Sequence, residues 1–88
     1  MSNTPTPEDM EKLRHMVGAT NRLARDRGWR NFYAPGPGDV AAMRRLVSAG
    51  LARRGFPYEE DFYYCATEAG CIAAGLTKGQ TKRAMEGR

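Results

Sequence analysis

Arginine is the residue type whose clustering in this chain most clearly points to chemistry. Residues 11–30 hold six basic and two acidic side chains, a local charge of +4, and residues 39–54 hold four basic and one acidic, a local charge of +3. A guanidinium group binds phosphate through charge, and it can pair with guanine through two hydrogen bonds. These two stretches are therefore candidate contacts for an anionic partner, and among their arginines are Arg22, Arg25, Arg27, Arg30, Arg44, Arg45, Arg53 and Arg54.

A second cluster carries the opposite charge. Residues 56–68 contain four carboxylates and no basic side chain, a local charge of −4. Several aromatic side chains lie in the same stretch, and exposed aromatics framed by carboxylates are typical of protein-binding surfaces. The sequence therefore leaves a protein-binding surface open as an alternative, formed by Phe56, Tyr58, Glu59, Glu60, Asp61 and Tyr63.

Catalytic and metal sites find little support in the residue types present. His15 is the single histidine, and the six-residue spacing of Cys65 and Cys71 matches no common zinc motif. The Gly-Pro-Gly run at 36–38 lacks the lysine and the Ser/Thr of a phosphate-cradling loop. We therefore expect no enzymatic activity, no metal and no cofactor, with reduced, buried cysteines and a histidine at the surface.

Length and composition indicate one small domain. The chain has 88 residues, of which 41% are hydrophobic and 27% charged, as in ordinary globular domains. Its apolar stretches are too short to cross a bilayer, and residues 1–7 lack the features of a secretory signal, so we expect a cytoplasmic protein. Residues 77–88 are basic without helical periodicity and are predicted to form a flexible tail, which leaves residues 1–76 as the folded domain.

The first helix is predicted from its N-terminal signals. Thr6 is a good N-cap, Pro7 suits the first helical position, and Asp9 resembles the third residue of a capping box. Apolar residues then recur at helical spacing towards Gly28, while Gly18 favours an early end or a bend.

A loop follows the first helix. Residues 31–34 have strand-like composition, and the alternating proline and glycine at 35–38 exclude a helix there. The aromatic side chains of this loop could stack on bases, but we expect them to fill the core or an interface instead. They are Trp29, Phe32 and Tyr33.

The second helix is the best-defined element of the sequence. It starts near Asp39 and ends before Gly50, where a left-handed residue would let Leu51 pack back on Leu46 as in a Schellman motif. An apolar stripe marks its inward side. Its solvent-facing side is predicted to carry Ala41, Arg44, Arg45 and Ser48.

A β-hairpin and a third helix complete the predicted fold. The strands span residues 51–54 and 62–66 around a long turn at 55–61. Thr67 then caps a helix that runs over residues 68–76. The inward side of this helix is predicted to carry Ala69, Ile72 and Leu76.

The order helix, extended segment, helix, hairpin and helix is that of a winged-helix domain. Residues 46–54 and 63–70 resemble the recognition helix, wing and closing helix of MarR- and PadR-type regulators. Over residues 10–76 the chain also resembles small uncharacterised phage and prophage proteins, through Leu13-Arg14-His15-Met16 and Arg30-Asn31-Phe32-Tyr33. The resemblance implies an α+β, winged helix-turn-helix-like fold of about three helices and a hairpin.

Two departures from these regulators concern DNA binding directly. Only residues 29–38 are available for the positioning helix that precedes the recognition helix, so the helix-turn-helix is abbreviated. The predicted wing tip carries Glu59, Glu60 and Asp61, which a phosphate backbone would repel.

The leading hypothesis is a phage- or prophage-derived protein that binds double-stranded DNA and modulates transcription. Its second helix would read bases through Arg44, Arg45 and Ser48, while Arg53, Arg54 and the basic cluster at 22–30 would contact phosphates. The alternative is a phage-encoded module that binds a host protein through the acidic hairpin and its aromatics. A homodimer formed through the first helix is a third possibility.

Overall fold

A computed structural model describes residues 4–58 and 61–86, except for the side chain of Tyr58. Over these residues the protein is a small α+β structure with four α-helices and one antiparallel hairpin, one helix more than predicted. No helix in the described part of the chain is long and apolar enough to span a membrane. The elements are α1 (Pro7–Met16), α2 (Val40–Ser48), β1 (Ala52–Tyr58), β2 (Asp61–Ala66), α3 (Glu68–Ala73) and α4 (Lys78–Glu86).

Helix α1 begins at the predicted cap and ends early. Thr6 Oγ1 accepts a hydrogen bond from the Asp9 amide at 3.1 Å, and the Asp9 carboxylate accepts one from the Thr6 amide at 2.9 Å, which confirms the capping box. The helix stops at Met16 because Gly18 takes a left-handed backbone with φ of 71°. Its continuation towards Gly28 is therefore excluded, and residues 17–39 contain only two single turns of 3-10 helix.

One of these turns, Pro37–Asp39, leads directly into α2. The sequence excluded a helix at 35–38, but one 3-10 turn is compatible with a proline at its first position. The carboxylate of Asp39 fixes this turn by accepting hydrogen bonds from the amide of Gly36 at 3.2 Å and the hydroxyl of Tyr33 at 3.3 Å. It also forms an ion pair with Lys12 at 3.7 Å, which ties the start of α2 to α1.

The C-terminus of α2 confirms the predicted Schellman motif. Gly50 has φ of 78°, its amide donates to the carbonyl of Val47 at 3.0 Å, and the amide of Leu51 donates to the carbonyl of Leu46 at 2.9 Å. The chain therefore reverses within two residues and enters β1 at Ala52.

Strand β1 is longer than predicted and contains an irregularity. Arg54 pairs with Tyr64 and Pro57 with Phe62, so that Gly55 and Phe56 together face a single residue of β2. This two-to-one count is a β-bulge. The predicted turn at 55–61 is thus mostly strand, and residues 59 and 60 lie outside the described part of the chain.

A third extended segment joins the hairpin at its β2 edge. Tyr33 and Tyr64 exchange backbone hydrogen bonds of 2.8 Å and 2.9 Å, so the predicted extended piece at 31–34 does pair. Asn31 is buried, and its side chain accepts from the Ala66 amide at 2.7 Å and donates to the Ala66 carbonyl at 3.2 Å. The loop is thereby fixed to β2 at Tyr64 and Ala66.

Helix α3 begins at the predicted cap but ends at Ala73, three residues earlier than predicted. Thr67 Oγ1 accepts from the Gly70 amide at 3.0 Å and donates to the Gly50 carbonyl at 2.7 Å. Its inward residues are Gly70 and Cys71, whereas Ala69 and Ile72 are exposed, contrary to the prediction. Of the predicted inward residues only Leu76, which follows the helix, is buried.

The predicted tail instead contains helix α4. Thr77 and Gln80 exchange side chain to backbone hydrogen bonds at its start, and Thr81 and Ala84 are buried. The core that α4 joins lies between α1, α2, the hairpin and α3. Both cysteines are buried as expected, and Cys71 belongs to this core. The largest apolar side chains of the core are Leu13, Met16, Met43, Leu46 and Tyr64.

Candidate nucleic-acid interface

The outer face of α2 is the first candidate surface. Ala42, Met43 and Leu46 are buried, which leaves Ala41, Arg44 and Ser48 exposed along the opposite side. Within residues 4–58 and 61–86, no carboxylate forms an ion pair with Arg44. A guanidinium and a hydroxyl on one exposed helix face are groups that read base edges in a major groove.

Arg45 does not belong to this surface. Its Nε donates to Asp9 at 2.6 Å and its Nη2 donates to the second carboxylate oxygen at 2.9 Å. Adjacent residues on a helix point about 100° apart, so Arg45 faces α1 while Arg44 faces solvent. The Arg45 guanidinium lowers the pKa of Asp9 from 3.8 to about 2, since it favours the ionised carboxylate more than burial disfavours it.

The basic cluster at 22–30 divides into two kinds of residue. It lies in the loop after α1 rather than on a helix side, and Arg22 and Arg25 are exposed. Arg27 instead holds the loop together by donating to the carbonyls of Asn21 at 2.9 Å and Arg22 at 3.4 Å. Arg30 donates to the carbonyl of Phe32 at 3.0 Å. Among the described residues, Arg22 and Arg25 are therefore the two of these four arginines whose guanidinium groups form no hydrogen bond or ion pair, whereas the sequence predicted free groups on all four.

Arginine and aromatic side chains also meet on the hairpin. Arg53 and Arg54 are exposed on β1, and both line an open cleft of about 560 Å³. Arg54 also lies over the ring of Phe62, 5.6 Å from its centre. The other residues that line the cleft are Phe32, Gly55, Phe56 and Tyr63.

The aromatic rings of this cleft are organised by contacts that the sequence did not reveal. Phe32 and Tyr63 meet edge to face, with ring centres 6.1 Å apart. The guanidinium of Arg30 lies 4.5 Å from the centre of the Phe32 ring and 5.6 Å from that of Trp29. Phe32 and Trp29 are 38% and 57% exposed, so neither fills the core, which was one of the two roles predicted for them. The Trp-Arg-Asn-Phe order at 29–32, with arginine between two aromatics, was the available signal.

Of the predicted acidic protein-binding surface, the structure describes the side chains of Phe56, Asp61 and Tyr63. Phe56 and Tyr63 line a cleft with arginines, and the Asp61 carboxylate accepts the hydroxyl of Tyr64, 3.1 Å from both of its oxygens. Glu59, Glu60 and the side chain of Tyr58 lie outside the described part of the structure.

Residues 4–58 and 61–86 contain no group of three or more His, Cys, Asp or Glu side chains that could hold a metal ion. His15 is exposed. Burial raises the pKa of the Cys71 thiol, and Glu68 adds to this effect. A buried thiol of raised pKa is a poor nucleophile. Comparison with protein-family models, with curated proteins and with solved structures finds no match for this chain.

Proposed function

We propose that the chain is a winged-helix-like protein that binds double-stranded DNA without catalysing a reaction, with α2 as the reading helix. The exposed pair Arg44 and Ser48 carries this proposal, because the two lie one helical turn apart on the side of α2 that faces away from the core. Such a face fits a major groove, where arginine pairs with guanine and serine accepts or donates to any base.

The Schellman turn extends this surface into the hairpin. Gly50 reverses the chain, so that β1 begins beside the reading helix with Arg53 exposed on it. Arg53, Arg22 and Arg25 are the arginines we assign to phosphate contacts. The resemblance to MarR- and PadR-type regulators and to small phage proteins favours a modulator of transcription of phage or prophage origin.

Charge reversal on α2 tests the proposal. We expect Arg44→Glu to weaken binding to a random-sequence duplex more than a charge reversal elsewhere on the protein, because it replaces a cation on the reading helix by a carboxylate that the phosphates repel. Lys82→Glu is the matched control, because Lys82 is exposed on α4 and the variant changes the net charge equally. Fluorescence anisotropy between about 50 and about 200 mM salt measures both.

The salt dependence of the DNA affinity distinguishes contacts to bases from contacts to phosphates. Arg53→Glu is expected to lower the slope of log affinity against log salt by about one. Equal losses of duplex affinity in Arg44→Glu and Lys82→Glu would contradict the proposal that α2 contacts the bases. The competing hypothesis, a protein-binding module, predicts no micromolar affinity for duplex DNA even at low salt.

A further inference from the structure

We propose that the cleft on the hairpin binds unpaired nucleobases of single-stranded DNA, with Phe56 as its stacking platform. This inference deepens the proposed function and rests on it for the class of ligand, nucleic acid. The described residues that line the cleft are three aromatics, two arginines and a glycine, without a carboxylate.

The β-bulge gives Phe56 its position. Gly55 and Phe56 together oppose Tyr63, which interrupts the alternation of β1 and directs Phe56 outward. Its side chain is 73% exposed, the largest exposed fraction among the described large apolar residues. Bulges that re-aim one side chain are frequent next to functional sites. A phenylalanine ring in water at the edge of a cleft is available to cover another flat apolar surface.

Gly55 lets β1 lie close to β2 at the bulge that carries this ring. A Cβ atom at Gly55 would lie 3.3 Å from the carbonyl oxygen of Tyr63 and 3.6 Å from the sulfur of Cys65. A larger residue would therefore press on β2 and disturb the bulge.

The charges of the described residues of the cleft favour an anionic ligand. Arg53 and Arg54 line it, and Arg30 covers the Phe32 ring at its border. A ligand that is both flat and anionic satisfies the rings and the guanidinium groups together, and a nucleotide is such a ligand. In a duplex the base faces are covered by their neighbours and only the edges are accessible. The rings of the cleft therefore fit bases that are unpaired.

The test compares three probes on the intact protein by fluorescence anisotropy. They are an oligothymidylate of about 12 nucleotides, an abasic oligonucleotide of equal length and a blunt duplex. We expect the wild-type protein to bind oligothymidylate more tightly than the abasic strand. Phe56→Ala should weaken oligothymidylate binding roughly 5- to 150-fold and leave duplex binding unchanged.

Two further variants make the result decisive. Ile72→Ala is the matched control, because Ile72 is a 60% exposed apolar residue on α3, and it should change neither affinity. Phe56→Trp keeps a stacking ring and should retain oligothymidylate binding, which separates stacking from a folding defect. Equal affinity for the abasic strand, or equal effects of Phe56→Ala and Ile72→Ala, would overturn the inference. If the wild-type protein binds oligothymidylate in a way that depends on Phe56 but does not bind the duplex, the proposed role of α2 is overturned and that of the cleft is not.

Discussion

The guanidinium of Arg45 on α2 donates two hydrogen bonds, of 2.6 Å and 2.9 Å, to the carboxylate of Asp9 on α1. The same carboxylate caps α1 through the amide of Thr6 at 2.9 Å and is 1% exposed. One buried acid therefore begins the first helix and fixes the second against it. This pair decides which of two adjacent arginines remains available to a ligand, because Arg44 has no comparable partner in the described chain.

Arg45→Met is expected to destabilise the protein by about 2 kcal/mol, because it leaves the Asp9 carboxylate buried without its cation. The value lies below that of a fully buried pair, since the Arg45 side chain is partly exposed. Arg44→Met removes the neighbouring charge from solvent and should change the free energy of unfolding by less than about 0.5 kcal/mol. Urea denaturation measures both variants, and equal effects would show that the pair does not support the fold.

The pH dependence of stability follows from the same carboxylate. Because the folded-state pKa of Asp9 is lowered from 3.8 to about 2, its contribution is complete above the unfolded value and is lost as the pH falls from about 4 to 2. At about 1.4 kcal/mol per pKa unit, this contribution is about 2 kcal/mol. In Asp9→Asn the free energy of unfolding should fall less over this range, as measured by urea denaturation at several pH values. Parallel curves for the two proteins would refute the assignment.

Local signals in the sequence correctly predicted where several helices begin or end. Thr6 and Thr67 both cap helices, and Gly50 ends α2 with a left-handed residue. Each of these features depends on residues within four positions in the chain, so the pattern and its physical cause are adjacent. Helix α4 had such a signal as well, since Thr77 and Gln80 form reciprocal hydrogen bonds, but the weak apolar periodicity beyond them concealed it.

The candidate site was less accessible to prediction because its contacts join distant residues. Asp9 had a complete local role as a capping residue, and nothing near it indicated Arg45 as its partner. Likewise, Phe32 meets Tyr63 because the neighbouring Tyr33 pairs with Tyr64 of β2. Which of the arginines remain exposed and unpaired depends in the same way on tertiary contacts between distant residues.

Asn31→Ala should destabilise the fold by about 2 to 3 kcal/mol. The buried amide satisfies both the N–H and the C=O of Ala66, and its removal leaves both backbone groups without a partner in the described structure. Asn21→Ala is the control, because Asn21 also donates to a backbone carbonyl, that of Asp26 at 2.9 Å, but at an exposed position. It should cost at most about 1 kcal/mol. Thermal unfolding followed by circular dichroism compares them, and similar midpoints would contradict a supporting role for Asn31.

Gly70 and Gly79 provide the sharpest test of how α3 meets the hairpin. A Cβ atom at Gly70 would fall almost onto the carbonyl oxygen of Leu51, whereas nothing lies within 4 Å of a Cβ at Gly79. The carbonyl of Leu51 accepts the Thr67 amide at 3.1 Å, so it cannot retreat without breaking the junction of β1 and α3.

Gly70→Ala is therefore expected to lower the stability by about 3 kcal/mol or more, since overpacking against backbone forces α3 away from the hairpin. Gly79→Ala places a better helix former in the first turn of α4, and it should raise the stability by up to about 1 kcal/mol. For a chain of this length each kcal/mol corresponds to about 4 to 8 °C in melting temperature, so the two alanines should move the midpoint in opposite directions. A Gly70→Ala protein as stable as the wild type would mean that α3 does not pack against Leu51. In that case the connection between β2 and α3 at Thr67 would have a different geometry.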